Sequence, residues 1–474
     1  MISALNKHDP RSPAIFSCAD NRAVNYEQLC SMVDRNRQML ERVPRPALAL
    51  LSCENSVGSL CAYLGCLAAD VPVCLVESRR RAFDAIVNTY RPSLVLLPNE
   101  MAPPDGYRSS DRLADGGYRL DISPQHCPYA TPLHASLALL LTTSGSTGSR
   151  KLVRLSHRNV ASNAASIVDY LKIGSDERSI QSLPMQYAYG LSLVNSHLLA
   201  GATVVLTPHS FMTREFWLDF DRAGCTSFAG VPYTYELLRR LRFNPAGRPT
   251  LRTMTQAGGG LSASLLQYYH ETAERNRKSL VVMYGQTEAT ARIAYVPPDR
   301  LSEKMGAIGQ AIPQGRLSLE PIDDAPGLNQ LIYEGPNVML GYATGPGDLA
   351  LGETQHGILR TGDLARVDED GFYYVVGRMK RIAKVFGRRV NLADIENEMQ
   401  DGFACRIAAV DRGNRIHLFV ENDGDVDLTA MRAHAANFLS LMPLAIRVER
   451  IEAFPRTASG KINYSALTAV PPGA

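Results

Sequence analysis

The sequence carries no strong charge of either sign: 50 Lys and Arg stand against 47 Asp and Glu, a formal net charge of +3 over 474 residues. So even a balance argues against a surface built for nucleic acid or an anionic membrane, and the one basic run, RMKRIAK at 378–384, is too short to change that. Long apolar runs are missing as well. The most apolar stretches, Ala47–Leu51 and Leu137–Leu141, fall well short of the roughly 18 residues of a membrane helix, and the N-terminal MISALNKHDP lacks the apolar core of a secretion signal. The nine cysteines are odd in number and never spaced CxxC, and the ten histidines show no HxxxH pair. This leaves no basis for a structural zinc site or a disulfide framework and predicts buried free thiols in a reducing cytoplasm. Internal repeats and low-complexity segments are absent too.

What is present is a globular composition, 45% hydrophobic and 20% charged, organised around LLLTTSGSTGSRKLV at 139–153. Apolar Leu137–Leu141 suits a buried strand, and Gly145 and Gly148 permit a turn tight enough to aim several N–H groups at one anion. Thr142, Thr143, Ser144, Ser146 and Thr147 add hydroxyl donors and Lys151 a mobile point charge, a set suited to a triphosphate. A Walker loop needs Gly-Lys-Ser/Thr, but here Arg150 precedes Lys151 and Leu152 follows it. Kinase signatures are missing as well, so a P-loop NTPase or kinase is disfavoured.

Periodicity gives an α/β chain. Apolar runs at Ala47–Cys53, 71–77 and Ser93–Leu97, joined by helical stretches, predict a parallel sheet covered on both faces, with an exposed connection at Gly106–Gly117. After the loop, His157–Leu171 reads as a helix that the loop feeds, and strand–helix pairs up to Tyr284 form a second sheet. Within that sheet, AGGG (257–260) and YGQTE (284–288) fall beyond carboxyl strand ends, where open sheets bind ligands. Gly306–Arg378 reads as a small β-rich subdomain, and the tail as a small α+β domain with a helix at Leu392–Gln400, strands at Ile407–Asp411 and Ile416–Glu421, and a helix at Leu428–Leu439. The expected domains are 1–379 and 380–474, with the boundary at Lys380 and no carrier domain after Lys461.

Read in order, the phosphate loop, LPMQYAYGL (183–191), QAGGGL (256–261), YGQTE, GPNVMLGY (335–342), LRTGDL (359–364), VGRMKRIAKVFGRRV (376–390) and RTASGKI (456–462) resemble the signatures of the adenylate-forming superfamily. That superfamily includes acyl-CoA synthetases, aryl-acid ligases and the adenylation domains of nonribosomal synthetases. The likeness is nearly full length and departs from the usual pattern at Arg150 and Leu152, which flank the loop lysine. It implies that a carboxylate attacks the α-phosphorus of ATP, that pyrophosphate leaves, and that a nucleophile then opens the acyl-adenylate.

The same resemblance distributes roles. Thr143 to Gly148 and Lys151 take phosphates. Tyr284 and Gly285, with Gly258, Gly259 and Gly260, take the purine, and Asp363 and Arg378 the ribose. Thr287 meets the α-phosphate and Glu288 a Mg²⁺ ion. Lys461 draws carboxylate and α-phosphate together, while Lys380 is a hinge whose rotation exchanges Lys461 for Lys384, Phe386 and Gly387, which line a pantetheine tunnel. The acceptor is expected to be CoA or the phosphopantetheine of a separate acyl carrier protein. An amine acceptor, giving an amide ligase, an amino-acid-activating enzyme, and a catalytically silent adenylate-binding protein are the other readings. Tyr187, Ala188, Tyr189, Gly230, Gly258 and Ala289 are expected to line the acid pocket. Amino-acid-activating relatives place an aspartate where Ala188 stands, so an uncharged aryl, cyclic or medium-chain acyl group is expected and an α-amino acid is not.

Overall fold

The computed structural model describes residues 2–123, 129, 132–142, 151–322, 328–385, 388–412, 415–421, 426–439, 441–457 and 461–469. The chain divides into two compact units, one of Met1–Arg316 with Glu334–Leu359, the other of Leu317–Tyr333 with Arg360–Ala474.

In the first unit, strands Ala49–Cys53, Val73–Glu77, Leu94–Pro98 and Leu137–Thr142 run parallel within an eight-stranded sheet. Their nearly continuous burial is what a sheet covered on both faces requires. The crossover helix Val57–Ala68 is buried from Val57 through Leu67, which explains its apolar residues on every side and encloses Cys61 and Cys66. Among the described residues eight cysteines are free and all but Cys30 are buried; burial pushes the Cys53 thiol up to about 12. The stretch from Gly106 to Gly117 is more than a connection. It contains strand Arg108–Arg112, exposed throughout, which forms the sheet edge against Tyr118–Ile122. With both faces of that edge solvated, no apolar alternation marks it in the sequence.

The second sheet has nine strands. At its centre Arg178–Gln181, Ser227–Gly230, Thr253–Gln256 and Ser279–Tyr284 lie parallel in that spatial order, and Pro13–Ser17 joins beyond Thr203–Leu206. Gly230, Gln256 and Tyr284 therefore end neighbouring strands on one edge of the sheet.

Two findings refine the expected order. Strand Leu152–Ser156 returns antiparallel to Leu137–Thr142 before helix His157–Leu171 begins, so a strand separates the loop sequence from the helix dipole. The β-rich stretch divides among three sheets: Gln310–Ala311 edges the nine-stranded sheet, Gly341–Ala343 pairs with Leu152–Ser156, and Arg316–Pro321, Asn329–Glu334, Ile358–Val367 and Tyr373–Arg378 form a four-stranded sheet.

In the second unit, helices Leu392–Phe403 and Leu428–Leu439 accompany a sheet of Ile407–Asp411, Ile416–Glu421 and Ile446–Ile451. Ile395, Met399, Leu418 and Met431 are fully buried in its core.

Candidate active site

Strand Leu152–Ser156 lies between Leu137–Thr142 and Gly341–Ala343. That register carries Lys151, just before the strand, alongside Tyr342. The Lys151 ammonium stands 3.2 Å from the centre of the Tyr342 ring, and the Tyr342 hydroxyl donates to Glu288 Oε1 at 2.8 Å. Burial, and after it the Glu288 charge, raises the phenol well above its ordinary pKa, so it remains a proton donor to the carboxylate. One tyrosine thus stands between a cation and an anion. No carboxylate among the described residues pairs with Lys151, which leaves its charge available to an anionic ligand.

The Glu288 turn is held from outside itself. A Cβ on Gly285 would lie 1.7 Å from the Ala291 carbonyl oxygen, so only glycine allows this approach. Thr290 sits at φ 66°, a strained position for a β-branched residue. Its hydroxyl donates to the Asn337 carbonyl at 2.7 Å, and Asn337 Nδ2 donates to the carbonyls of Ala289 (2.8 Å) and Arg292 (2.9 Å). The Met339 amide donates to the Glu288 carbonyl at 2.8 Å, while Asn159 Nδ2 donates to Pro336 and Val338, both at 2.8 Å. The GPNVM segment is therefore a clamp, tied to helix His157–Leu171, that fixes where Thr287 and Glu288 lie.

Around this turn the strand ends supply a floor. Tyr284 is half-buried and its hydroxyl accepts from Gln286 Nε2 at 3.2 Å. Gly258 takes φ 88°, and Gln256 Nε2 donates to the Gly259 carbonyl at 2.6 Å, while a side chain at Gly260 would meet open space. Gly230 leaves no room for a Cβ beside the Tyr235 ring, 2.7 Å away. Tyr187 is half-buried, edge-on to buried Tyr189 at 6.2 Å between ring centres; Ala188, between them in sequence, is buried, as is Ala289 in the turn Thr287–Ala289. Tyr189 is fixed by a 2.9 Å hydrogen bond between its hydroxyl and Thr255 Oγ1, and the Arg292 guanidinium lies 3.9 Å over its ring.

The second unit holds the other candidates. Asp363 and Arg378 face each other across paired strands, and Arg378 Nε meets Asp363 Oδ1 at 2.6 Å; the carboxylate is buried and the arginine largely exposed. Lys461 adjoins the Arg456–Ile462 bridge, its carbonyl accepting from the Thr457 amide at 2.8 Å and its own amide donating to Thr457 Oγ1 at 3.2 Å. Lys380 lies in a single helical turn, Met379–Arg381. The next residue, Arg381, donates to both Glu396 oxygens at 2.8 and 2.6 Å and stacks 3.9 Å over Tyr464 at the start of helix Tyr464–Ala469. The segment after Lys380 and the helix after Lys461 thus share one anchor.

The structure brings Lys151, Tyr284, Gly285, Thr287, Glu288, the 258–260 glycines and the tyrosine wall into the first unit, and Asp363, Arg378, Lys380 and Lys461 into the second. Thr143 to Gly148, Phe386 and Gly387 lie outside the described residues, as do the side chains of Lys380 and Lys384. Three contributors were not singled out from the sequence: Tyr342, Asn337 and Arg292. The first two were within reach, as the tyrosine and asparagine of GPNVMLGY; Arg292, four residues beyond Glu288, carries no motif signal. Among the described residues no three His, Cys, Asp or Glu side chains gather as a metal cage. A lone carboxylate such as Glu288, with one oxygen engaged by Tyr342, suits Mg²⁺, which keeps most of its waters and shares substrate phosphates.

Comparisons with known proteins point to one family. The profile of the AMP-binding enzyme family matches residues 3–343. An indoleacetate–CoA ligase from Aromatoleum aromaticum is 30% identical over 93% of this chain and 92% of its own length. A feruloyl-CoA synthase from Amycolatopsis is 30% identical over 69% of this chain and 68% of its own. The o-succinylbenzoate CoA synthetase of Bacillus subtilis, solved with its acyl-adenylate, shares the fold with a TM-score of 0.79 at 19% identity, over 100% of this chain and 98% of that one.

Proposed function

The chain belongs to the AMP-binding enzymes of the adenylate-forming superfamily, and from that premise we propose that it joins a carboxylic acid to the thiol of CoA through an acyl-adenylate. A carboxylate oxygen attacks the α-phosphorus of ATP, the bond to the pyrophosphate oxygen breaks, and an acyl-AMP anhydride remains. The thiol then attacks the acyl carbon and AMP departs with the shared oxygen.

The observation that carries this reading is the Lys151–Tyr342–Glu288 arrangement, in which a cation lacking a carboxylate partner among the described residues and a clamped carboxylate flank one phenol. Lys151 takes the leaving phosphates and Thr287 the α-phosphate. Glu288 would hold Mg²⁺, which when bound neutralises phosphate charge. Tyr284 and the glycines 258–260 receive the purine, and Asp363, oriented by Arg378, accepts from the ribose hydroxyls. Lys461 supplies the positive charge between the two anionic reactants, and rotation at Lys380 replaces it with Lys384, Phe386 and Gly387 for the thiol step. CoA is favoured over a carrier protein because the two relatives ligate indoleacetate and form feruloyl-CoA.

Tyr187, Ala188, Tyr189, Gly230, Gly258 and Ala289 receive the acyl group, and Ala188 offers nothing to an α-ammonium. ATP–pyrophosphate exchange over a panel of carboxylic acids tests the first step. Exchange with aryl or acyl carboxylates and none with proteinogenic α-amino acids is expected; efficient exchange with an α-amino acid, unchanged in Ala188→Leu, removes the pocket assignment.

A further inference from the structure

Arg154 and Arg292 are the largest of the fully buried side chains. Arg154 shows how this chain normally treats a buried guanidinium: it donates to the carbonyls of Tyr342 (3.2 Å), Gly352 (3.2 Å), Leu340 (3.5 Å) and Leu351. Arg381 shows another solution, a two-pronged carboxylate with the Ala409 carbonyl added at 3.1 Å.

Arg292 has neither. It is 1% exposed, its Nε–H points at the Met283 sulfur at 3.4 Å, and its guanidinium carbon lies 3.9 Å over Tyr189. The Tyr170 phenol is alongside, pushed up to about 12 by burial although Arg292 draws it down. A thioether is a weak acceptor and a ring face a modest attraction, and none of these neighbours carries formal negative charge. No carboxylate among the described residues pairs with Arg292. The residues of the first unit outside that set, 1, 124–128, 130–131 and 143–150, contain no Asp or Glu. A charge buried without compensation is costly. The arginine is also rooted firmly, since its carbonyl accepts from Asn163 (3.1 Å) and Asn337 (2.9 Å), so the charge is held against the Tyr187–Tyr189 wall.

We propose that Arg292 is the counter-charge for a second carboxylate on the substrate, so that the acid activated here is a dicarboxylate: one carboxylate is adenylated while the other seats on the guanidinium fork beside Tyr189. The inference rests on the acyl-pocket reading above and narrows it, replacing an uncharged acyl tail with an anionic one. The planar fork matches a carboxylate with two parallel hydrogen bonds. It also gives a second reason for rejecting α-amino acids, whose ammonium would face a like charge.

Pyrophosphate exchange by the wild-type enzyme with length-matched pairs tests this directly: butanoate with succinate, hexanoate with adipate, and 4-methylphenylacetate with 4-carboxyphenylacetate. In the best-fitting pair the diacid should have a kcat/KM about 10–100-fold higher, the scale of a hydrogen-bonded charge pair, and its monomethyl ester should lose that advantage. Arg292→Gln should collapse the diacid-to-monoacid ratio towards one, and Arg292→Lys should restore part of it. Should either variant fail to fold, the wild-type ratio alone decides. Wild-type exchange that is as good with monoacids as with diacids, or a ratio preserved in Arg292→Gln, overturns the role of Arg292 while leaving adenylation intact; exchange with no carboxylate of any kind overturns both readings.

Discussion

Lys151 and Glu288 in the first unit and Lys461 in the second are held in opposite ways. In the first, Lys151, Glu288 and Tyr342 come from segments far apart in sequence and meet through side chains, with Asn337 clamping the turn that carries the carboxylate. In the second, the Lys461 backbone is held by its own sequence neighbours, Thr457 and the Arg456–Ile462 bridge. A group fixed by distant partners is preorganised whatever the rest of the chain does, which suits charge that must be in place whenever ATP is bound. A lysine held by local contacts can be withdrawn with those contacts intact, which suits a charge needed in one half-reaction.

Substitutions can break that contrast, beginning with the first unit. Glu288→Gln keeps the shape and an acceptor for Tyr342 but removes the charge. Adenylation should fall about 10³-fold, as for a lost electrostatic contact to phosphate and metal, and pyrophosphate exchange should need more Mg²⁺; a loss below tenfold would take Glu288 out of metal binding. Lys380→Pro should act only on the exchange of poses. With φ fixed, thioester formation should drop about 10²-fold while adenylation drops less than about tenfold. Following pyrophosphate and thioester separately in quenched flow checks this, and equal retention of both would move the hinge elsewhere. Tyr342→Phe should do least. The ring stays beneath Lys151, one hydrogen bond to Glu288 is lost, and kcat should fall about tenfold with little change in melting temperature. A large drop in melting temperature would instead make the tyrosine a packing residue.

Much of the fold was legible because buried strands announce themselves. Ile407–Asp411, Ile416–Glu421 and helix Leu428–Leu439 fall where periodicity put them. Strand Arg108–Arg112 was not legible, being polar on both faces, nor was the antiparallel return of Leu152–Ser156, because a short apolar run between a loop and a helix cap does not reveal its direction. For the candidate site, the motifs pointed to Lys151, Glu288 and Asp363, residues whose chemistry shows in local sequence. Tyr342 and Asn337 stand out only through register and long-range hydrogen bonds, and Arg292 through burial with no carboxylate partner among the described residues. Such properties exist only once the chain is folded.

Single-turnover kinetics of Lys461→Ala, with the two half-reactions followed separately, tests the division between the units most directly. Acyl-adenylate formation from ATP and acid should slow by about 10²–10³-fold, the value of one preorganised charge in the transition state. Preformed acyl-adenylate should still react with CoA within a few-fold of the wild-type rate. Equal slowing of both half-reactions would contradict the assignment of Lys461 to adenylation alone, and with it the exchange of poses about Lys380.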